Sequence, residues 1–253
     1  MEETPSPRVR FHVLTIFPGM FESPFSESII ARARRNGLVE ISVYGLRDYA
    51  HDRHRTVDDY PFGGGGGMVM KPEPLFEGVE AVRARASVDE DAPTVLLSPQ
   101  VRTLTQSVVE ELAGYRDLLL LCGRYDGVDE RVRKHLATDE ISIGDYVLGG
   151  GELAAMVVIE AVCRLIPGVV GSIESVQDDS FTTGLLQHPQ YTRPDDFRGW
   201  SVPGVLTSGN HAEVDRWRRG ESLRRTYQRR PELLESVELS DDDRRFIEGL
   251  RQG

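Results

Sequence analysis

The sequence predicts an α/β protein built on a mostly parallel sheet, and three observations lead to this class. Strand-like and helix-like segments alternate from Arg8 to Ile166, which is the pattern of a parallel sheet covered by helices. The segment Leu118–Cys122 is continuously apolar, as expected of a strand buried on both faces. The chain has 253 residues, of which 39% are hydrophobic, enough for one large domain or for a large and a small one.

Turn signals separate the predicted elements. Pro18-Gly19 closes the first strand, and Asn36-Gly37 is a helix C-terminal signal. The predicted strands are Arg8–Phe17, Val39–Leu46, Thr94–Leu97, Leu118–Cys122 and Glu140–Leu148. The predicted helices are Phe25–Arg35, Pro74–Ala86, Thr103–Leu112 and Glu152–Leu165.

The alternation stops after Pro167. Residues 168–178 are mostly small and polar, which indicates an interdomain linker. No convincing strand follows from Phe181 onward, whereas Asn210 and Ser240 are good helix N-caps. We therefore expect an α/β domain over residues 8–167, the linker over residues 168–178 and a small helical domain over residues 179–253.

The net charge of −11 argues against nonspecific nucleic-acid binding. The window His211–Pro231 is an exception, because it holds seven arginines against three acids and nets +4, with Trp217 and Tyr227 interleaved. Such a window is typical of a solvated helical face or of an RNA contact, and its composition leaves both open.

Composition also bears on the compartment. No apolar run approaches the roughly 20 residues that span a bilayer, and the N-terminus lacks the basic and apolar regions of a signal peptide. Cys122 and Cys163 sit in apolar stretches without zinc-site spacing, as expected of buried thiols in a reducing cytoplasm. His51 and His54 are better explained as part of a charged linker than as metal ligands. We expect a cytoplasmic protein with no membrane segment, and we assign no metal ligands.

Three loops that follow predicted strands are candidates for a ligand site: Leu96–Gln100, Cys122–Gly127 and Ile143–Gly151. Ligands of parallel sheets bind at the carboxyl ends of strands, and glycines there let backbone groups approach an adenine closely. Each loop alone is more simply a tight turn, but three in one sheet favour a site. Gly149–Gly151 is not a dinucleotide fingerprint, and Gly63–Lys71 resembles a phosphate loop only superficially, because Pro72 follows it.

Two adjacent acids, Asp178 and Asp179, occupy a segment without helix or strand period, Gln177–Pro194. Acids in such a segment are more easily explained by chemistry than by packing. The alternative is that Asp179 caps a helix over residues 180–186. Arg164, at the end of a predicted helix, could likewise satisfy only the last carbonyls of that helix.

Four segments, in this order, resemble the bacterial tRNA (guanine-N1)-methyltransferases, the TrmD family of the SPOUT class. They are HRTVDDYPFGGGGGMVMK, CGRYDGVDER, GDYVLGGGEL and DDSFTTGLLQHPQYTRP, and the resemblance extends from about Arg8 to Glu235. Each segment alone would be a weak signal, whereas the ordered set is highly specific. The chain departs from the family pattern at Gly66, where proline is common, and at Asp126, where glutamate is common.

The resemblance implies a deep trefoil knot in the α/β domain and S-adenosylmethionine as the methyl donor. The implied reaction methylates N1 of guanine 37 in tRNA when guanine 36 precedes it. The implied partners are the tRNA anticodon stem-loop and a second copy of the chain, with each active site taking its linker and small domain from the other subunit. A magnesium requirement is also implied, without an assigned site.

The implied site residues follow from matching motifs. Asp179, directly before Ser180-Phe181, is the catalytic base, and Arg164 is the catalytic arginine that stabilises charge at guanine O6. Asp126 is in addition a plausible charge partner for the sulfonium of the cofactor. The cofactor-binding positions are Leu97, Ser98, Pro99, Gly123, Tyr125, Asp126, Ile143, Gly144, Tyr146, Leu148, Gly150 and Gly151.

Two other functions compete with this one. The first is a non-catalytic RNA-binding protein that keeps the same fold, against which the retained Asp179, Arg164 and cofactor loops argue. The second is a related enzyme that methylates ribose 2′-hydroxyls, a chemistry that requires neither this aspartate nor a small C-terminal domain.

Overall fold

The computed structural model describes residues 7–171 and 179–252, and the chain divides into two compact units after Gly171. The predicted linker, residues 168–178, lies mostly outside the described residues. None of the described helices is both long enough and apolar enough to cross a membrane.

The first unit is built on a five-stranded sheet in which every neighbouring pair is parallel. The order across the sheet is β2-β1-β6-β5-β7, and β3 and β4 form a separate antiparallel pair. The strands are β1 (Val9–Thr15), β2 (Val39–Gly45), β3 (Asp58–Asp59), β4 (Val69–Met70), β5 (Thr94–Leu97), β6 (Asp117–Cys122) and β7 (Asp139–Ile141). The predicted α/β class with a parallel sheet is therefore confirmed.

Helices cover both faces of this sheet. They are α1 (Ser28–Arg35), α2 (Pro72–Ala86), α3 (Gln106–Ala113), α4 (Glu130–His135) and α5 (Glu152–Leu165), with short 3-10 turns at Pro18–Phe21, Pro24–Ser26 and Leu46–Tyr49. Because successive side chains of a strand point to opposite faces, Leu118 and Leu120 of β6 enter one core cluster and Leu119 and Leu121 enter another. This division explains why β6 is apolar without alternation.

Most predicted elements match in type, and Thr94–Leu97 and Glu152–Leu165 match in both bounds. The predicted strand Glu140–Leu148 is wrong beyond Ile141. The Ser142 hydroxyl donates to the Gly144 carbonyl (3.0 Å) and accepts from the Gly144 N–H (3.2 Å). These bonds turn the chain at Gly144, whose φ of +148° suits glycine, and residues 142–151 become a loop.

The second unit is mainly helical. Its elements are helices Gly204–Thr207, His211–Arg229 and Asp241–Gln252, a 3-10 turn at Pro231–Glu235, and two short antiparallel strands, β8 (Asp196–Phe197) and β9 (Trp200–Ser201). The expectation of no strand after Phe181 is thus wrong. The two predicted N-caps are confirmed, since Asn210 accepts from the Glu213 N–H (3.4 Å) and Ser240 accepts from the Asp243 N–H (3.2 Å).

Val158 and Val157 provide a matched test of the packing of α5. Val158 is fully buried and Val157 is 44% exposed, yet both are valines in the middle of the same helix. Val158→Ala should lower the free energy of unfolding by about 2 kcal/mol, because it removes buried apolar surface and leaves a cavity. Val157→Ala should change it by less than about 0.5 kcal/mol.

The measurement is denaturant unfolding followed by far-UV circular dichroism. Tryptophan fluorescence would miss this unit, because Trp200 and Trp217 both lie in the second. Equal losses of stability in the two valine variants would contradict the assignment of the α5 face that packs on the sheet.

Candidate functional site: a cleft at the carboxyl edge of the sheet

A cleft of about 480 Å³ lies at the carboxyl ends of β5, β6 and β7. This volume is within the range of small-molecule sites, roughly 300–1,000 Å³. All twelve cofactor-binding positions that the family resemblance implied, from Leu97 to Gly151, line this one cleft. The structure therefore brings together the three loops that the sequence singled out.

Backbone hydrogen bonds hold the three loops together. The Ser98 N–H donates to the Ile141 carbonyl (3.1 Å), which joins the loop after β5 to the end of β7. The Gly151 N–H donates to the Gly123 carbonyl (2.8 Å), which joins the start of α5 to the loop after β6. Since these bonds link main chain to main chain, the spacing of the loops is set by backbone and not by side-chain rotamers.

Gly151 permits a very close approach of two backbone segments. A Cβ at this position would lie 2.9 Å from Cys122 Cα and 3.1 Å from the Gly123 nitrogen, closer than side chains tolerate. Those neighbouring atoms are backbone and cannot rotate away. The glycine thus lets the N-terminus of α5 rest directly on the end of β6.

The third loop presents apolar side chains and backbone to the cleft. The Tyr146 hydroxyl donates to the Ile143 carbonyl (3.3 Å), so its ring closes back over its own loop. Val147 is 85% exposed and Leu148 is 37% exposed, although both are apolar. Exposed apolar side chains beside accessible backbone groups suit a flat, partly apolar ligand such as an adenine.

The glycine run Gly63–Gly67 reaches the cofactor loop, a link that sequence reasoning missed. The Asp126 N–H donates to the Met68 carbonyl (3.0 Å). A Cβ at Gly67 would lie 1.7 Å from the Asp126 carboxylate, and Gly67 also has a φ of +89°. The end of the run therefore packs on Asp126, and it does so through a long-range contact that no local spacing announces.

Burial raises the pKa of one tyrosine of the cleft and of two cysteines that do not line it. Burial, together with the nearby Asp58 carboxylate, raises the pKa of the Tyr125 hydroxyl, which keeps this side chain neutral and able to donate a hydrogen bond. Burial also raises the pKa of the Cys122 thiol well above its usual range and that of Cys163 to about 12. Both thiols are buried and free of disulfides, as predicted, and their protonated state makes them poor nucleophiles.

Two arginines that the sequence analysis did not select also line the cleft, Arg124 and Arg133. Arg133 donates to the Ser98 hydroxyl (3.4 Å), pairs with Glu130 at 3.3 Å and forms a short ion pair with Glu140. These contacts tie α4 to the end of β7 and to the loop after β5. The only available signal in the sequence was their position after an apolar strand, which many structural arginines share.

The two residues expected to be catalytic lie in different units. Arg164 is half-buried in the last turn of α5, and Asp179 is half-buried at the start of the described part of the second unit. Asp178 lies outside the described residues. The catalytic roles of Arg164 and Asp179 stay predictions at this point.

The alternative role of Asp179 as a helix cap is wrong. Residues 180–185 form turns rather than a helix. The Phe181 N–H donates to the Leu185 carbonyl (2.8 Å), and Phe181 has a φ of +75°, which no helix allows. The Ser180 hydroxyl accepts from the Gln187 N–H (3.0 Å), so the segment closes on itself directly after Asp179.

The basic window is largely the helix His211–Arg229, and its arginines divide into two groups. Arg219 forms an ion pair with Asp243 (2.8 Å), and Arg225 donates to the Gln187 carbonyl (3.1 Å), so these two hold the unit together. Arg224 belongs to the same structural group, since it forms a short ion pair with Glu221 and lies over the Phe246 ring. Trp217 is also half-buried, against His188 and Tyr191. The arginines exposed to solvent are Arg216, Arg218, Arg229 and Arg230.

Within residues 7–171 and 179–252 no group of three His, Cys, Asp or Glu side chains is arranged to hold a metal ion. The fold and the cleft together define a class, namely an α/β protein with a cleft of small-ligand size between backbone loops at the carboxyl edge of a parallel sheet.

The chain belongs to the tRNA (guanine-1)-methyltransferase family, TrmD, whose family model matches residues 9–236. It is 60% identical over 242 residues to a tRNA (guanine-N(1)-)-methyltransferase of Dehalococcoides mccartyi, covering 96% of this chain and 97% of the relative. It is 56% identical to the enzyme of that name from Geobacter sulfurreducens (93% and 95% covered) and 51% identical to that from Bacillus cereus (97% and 100% covered).

Gly151 and Gly149 provide a matched test of the close approach at β6. Gly151→Ala should lower the free energy of unfolding of the first unit by about 1–3 kcal/mol, because its Cβ meets fixed backbone. A Cβ at Gly149 would meet only the Arg124 side chain at 3.6 Å, an ordinary contact. Gly149→Ala should therefore cost less than about 1 kcal/mol. Denaturant unfolding followed by circular dichroism compares the two, and an equal tolerance of both changes would refute the interpretation.

Proposed function

We propose that this chain transfers a methyl group from S-adenosylmethionine to N1 of guanine 37 in tRNAs in which guanine 36 precedes it. One observation carries the proposal: in a chain that belongs to this methyltransferase family, all twelve implied cofactor positions line a single cleft. The three relatives described above are each named tRNA (guanine-N(1)-)-methyltransferase.

The residues of the cleft fit this methyl donor. Glycines at 123 and 150 leave backbone accessible, while Leu97, Ile143 and Leu148 supply apolar surface for an adenine. Asp126 contributes a carboxylate to the same cleft, which suits a ligand with a positive sulfonium. When bound, S-adenosylmethionine supplies an electrophilic methyl group, and the rest of the chemistry falls to the protein.

Guanine N1 carries a proton and becomes a good nucleophile only on losing it. Asp179 is the proposed base that accepts this proton, and general-base catalysis of this kind typically contributes about 10²–10⁴-fold. Arg164 is the proposed cation that stabilises negative charge as it develops on guanine O6, because a guanidinium stays protonated at any working pH. The support for Asp179 is its motif, an aspartate directly before Ser180-Phe181 in a chain that belongs to this family.

The second unit is the proposed tRNA-binding part. Its exposed arginines, Arg216, Arg218, Arg229 and Arg230, suit contacts with phosphates, and a reactive base must leave its stack to reach a cleft. We take the half-buried Trp217 to organise this unit rather than to contact RNA, because His188 and Tyr191 pack on it.

We also propose that the chain acts as a cytoplasmic homodimer in which Asp179 of one subunit serves the cleft of the other. Exposed apolar side chains in the first unit support a dimer, notably Phe17, Met20 and Leu153. The trefoil knot and the magnesium requirement belong to the same proposal, and no protein ligand is assigned to magnesium.

The test is methyl transfer from labelled S-adenosylmethionine to two unmodified tRNA transcripts, one with guanine 36 and guanine 37 and one with guanine 37 replaced by adenine. We expect 1-methylguanosine from the first transcript only. Cofactor binding without transfer to either would favour a non-catalytic RNA-binding protein, and a 2′-O-methylated product would favour ribose methylation.

Asp179→Asn tests the base on the same assay. It should lower kcat by about 10²–10⁴-fold while leaving the Kd for S-adenosylmethionine unchanged within about threefold. Asp195→Asn, an exposed acid of the same unit, is the matched control and should retain activity. Full activity of Asp179→Asn would show that another group takes the proton.

The exposed arginines are tested by salt dependence. Changing Arg216, Arg218 and Arg229 to glutamine should weaken tRNA binding, because fewer phosphates are then neutralised by the protein. The slope of log K against log salt should flatten by up to about 0.9 for each phosphate that the variant no longer binds. The control is Arg251→Gln, in the last turn of the C-terminal helix. An unchanged slope in the triple variant would place the phosphate-binding residues elsewhere.

A further inference from the structure

Glu152 is a charged residue in an unusual place. It is the first residue of α5, directly after Gly149–Gly151, and only 1% of its surface is exposed. A buried carboxylate is costly unless its oxygens are paired, and both oxygens of Glu152 have partners. Thr15, at the end of β1, donates to Oε1 (2.8 Å), and Arg124 Nε, in the loop after β6, donates to Oε2 (3.1 Å).

These contacts form a closed ring around Arg124. The Phe17 N–H donates to the Thr15 hydroxyl (3.0 Å), which in turn donates to Glu152. The Arg124 guanidinium, held by Glu152, lies over the Phe17 ring with 4.6 Å between Cζ and the ring centroid. Arg124 is therefore fixed in position as well as neutralised.

The ion pair lies at the edge of the cleft, where Arg124 is a lining residue and Glu152 is buried behind it. A Cβ at Gly150, which lines the cleft, would lie 2.3 Å from Arg124 Nε and 2.6 Å from Glu152 Oε2. The two charged groups thus lie close to Gly150 and therefore close to the surface of the cleft. Whatever binds over Gly150 therefore experiences the sum of their charges, which is near zero while both are present and about one unit charge when either is removed alone.

The proposed methyl donor makes that sum matter. S-adenosylmethionine carries a sulfonium and a net charge of about +1, whereas its product S-adenosylhomocysteine has a neutral sulfur. A lone Arg124 cation at the edge of the cleft would repel S-adenosylmethionine and leave the binding of S-adenosylhomocysteine nearly unaffected. Removal of the carboxylate should thus change discrimination between the two ligands, which a loss of packing alone would not do.

We infer that Glu152 is a positioning residue for methyl transfer, which fixes Arg124 and cancels its charge so that the cleft accepts a sulfonium. This inference rests on the proposed function and adds to it a residue outside the implied site. The Thr15 hydroxyl adds a hydrogen bond to the other carboxylate oxygen, which contributes to stability but carries no charge.

The experiment measures Kd for S-adenosylmethionine and for S-adenosylhomocysteine by titration calorimetry. Glu152→Gln should raise the ratio Kd(S-adenosylmethionine)/Kd(S-adenosylhomocysteine) by about tenfold, the order of effect of one unit charge about 10 Å away at an effective dielectric of about 20. Glu152→Gln combined with Arg124→Met removes both charges and should return the ratio to within about threefold of the wild type.

Thr15→Val is the matched control for structure. It removes a hydrogen bond to the same carboxylate while both charges stay, so it should lower the melting temperature of the ligand-free protein without changing the ratio. If Glu152→Gln does not fold, Glu152→Met provides a second version of the test, because it removes the same charge with an apolar side chain that suits a buried position and should raise the ratio likewise.

An unchanged ratio in Glu152→Gln, or in Glu152→Met where that variant replaces it, would overturn the inference. A raised ratio that persists in the double variant would overturn it as well, since the effect would then not pass through Arg124. A wild-type protein that binds neither ligand would instead refute the proposed function, so the two failures are distinguishable.

Discussion

The contact between Gly151 and the end of β6 is the constraint on which the cleft depends. Main chain rests on main chain there, with the Gly151 N–H bonded to the Gly123 carbonyl and Cys122 Cα beneath. Because neither partner is a side chain, the separation cannot adjust by a change of rotamer. The start of α5, the loop after β6 and the glycines 149–151 therefore form one rigid surface, which we call the floor of the cleft.

The parallel sheet supplies the rest of this arrangement. The order β6-β5-β7 places three strands side by side, and all of them end at the same edge. Each loop is thus brought to the cleft by the strand before it, without a long insertion. Each arginine of the cleft is paired with acids, Arg124 with Glu152 and Arg133 with Glu130 and Glu140. The cleft is therefore polar, but neither arginine exerts a strong electric field on it.

The sequence predicted the elements that have a long and regular pattern. The strand Thr94–Leu97 and the helix Glu152–Leu165 were matched at both ends, because apolar runs and flanking Gly or Pro mark them clearly. The predicted strand Glu140–Leu148 was too long for a physical reason. Val147 and Leu148 are apolar but exposed in the cleft, and an apolar side chain in a cleft cannot be told from a core side chain by its sequence pattern. Two-residue strands such as β8 and β9 are too short to show any period.

The site was less predictable than the fold, because its missing parts are contacts across long sequence distances. The family resemblance supplied the cleft positions, but neither the packing of Gly67 on Asp126 nor the ion pair of Arg124 and Glu152 follows from spacing. Asp179 is a different case, since its neighbourhood, a turn rather than a helix, became clear only from the backbone at Phe181.

The burial of Cys122 gives the cleft a chemical reporter of its own. The thiol is buried where the end of β6 meets Gly151, so an alkylating reagent can reach it only when the floor of the cleft opens. Burial also raises the pKa of the thiol, which keeps it unreactive while the floor is closed. The rate of labelling would then measure the free energy of local opening at the cleft, separately from global unfolding. A ligand bound in the cleft should slow this labelling in proportion to its occupancy. The labelling rate of the Cys122 sulfur would then report on how often the cleft opens.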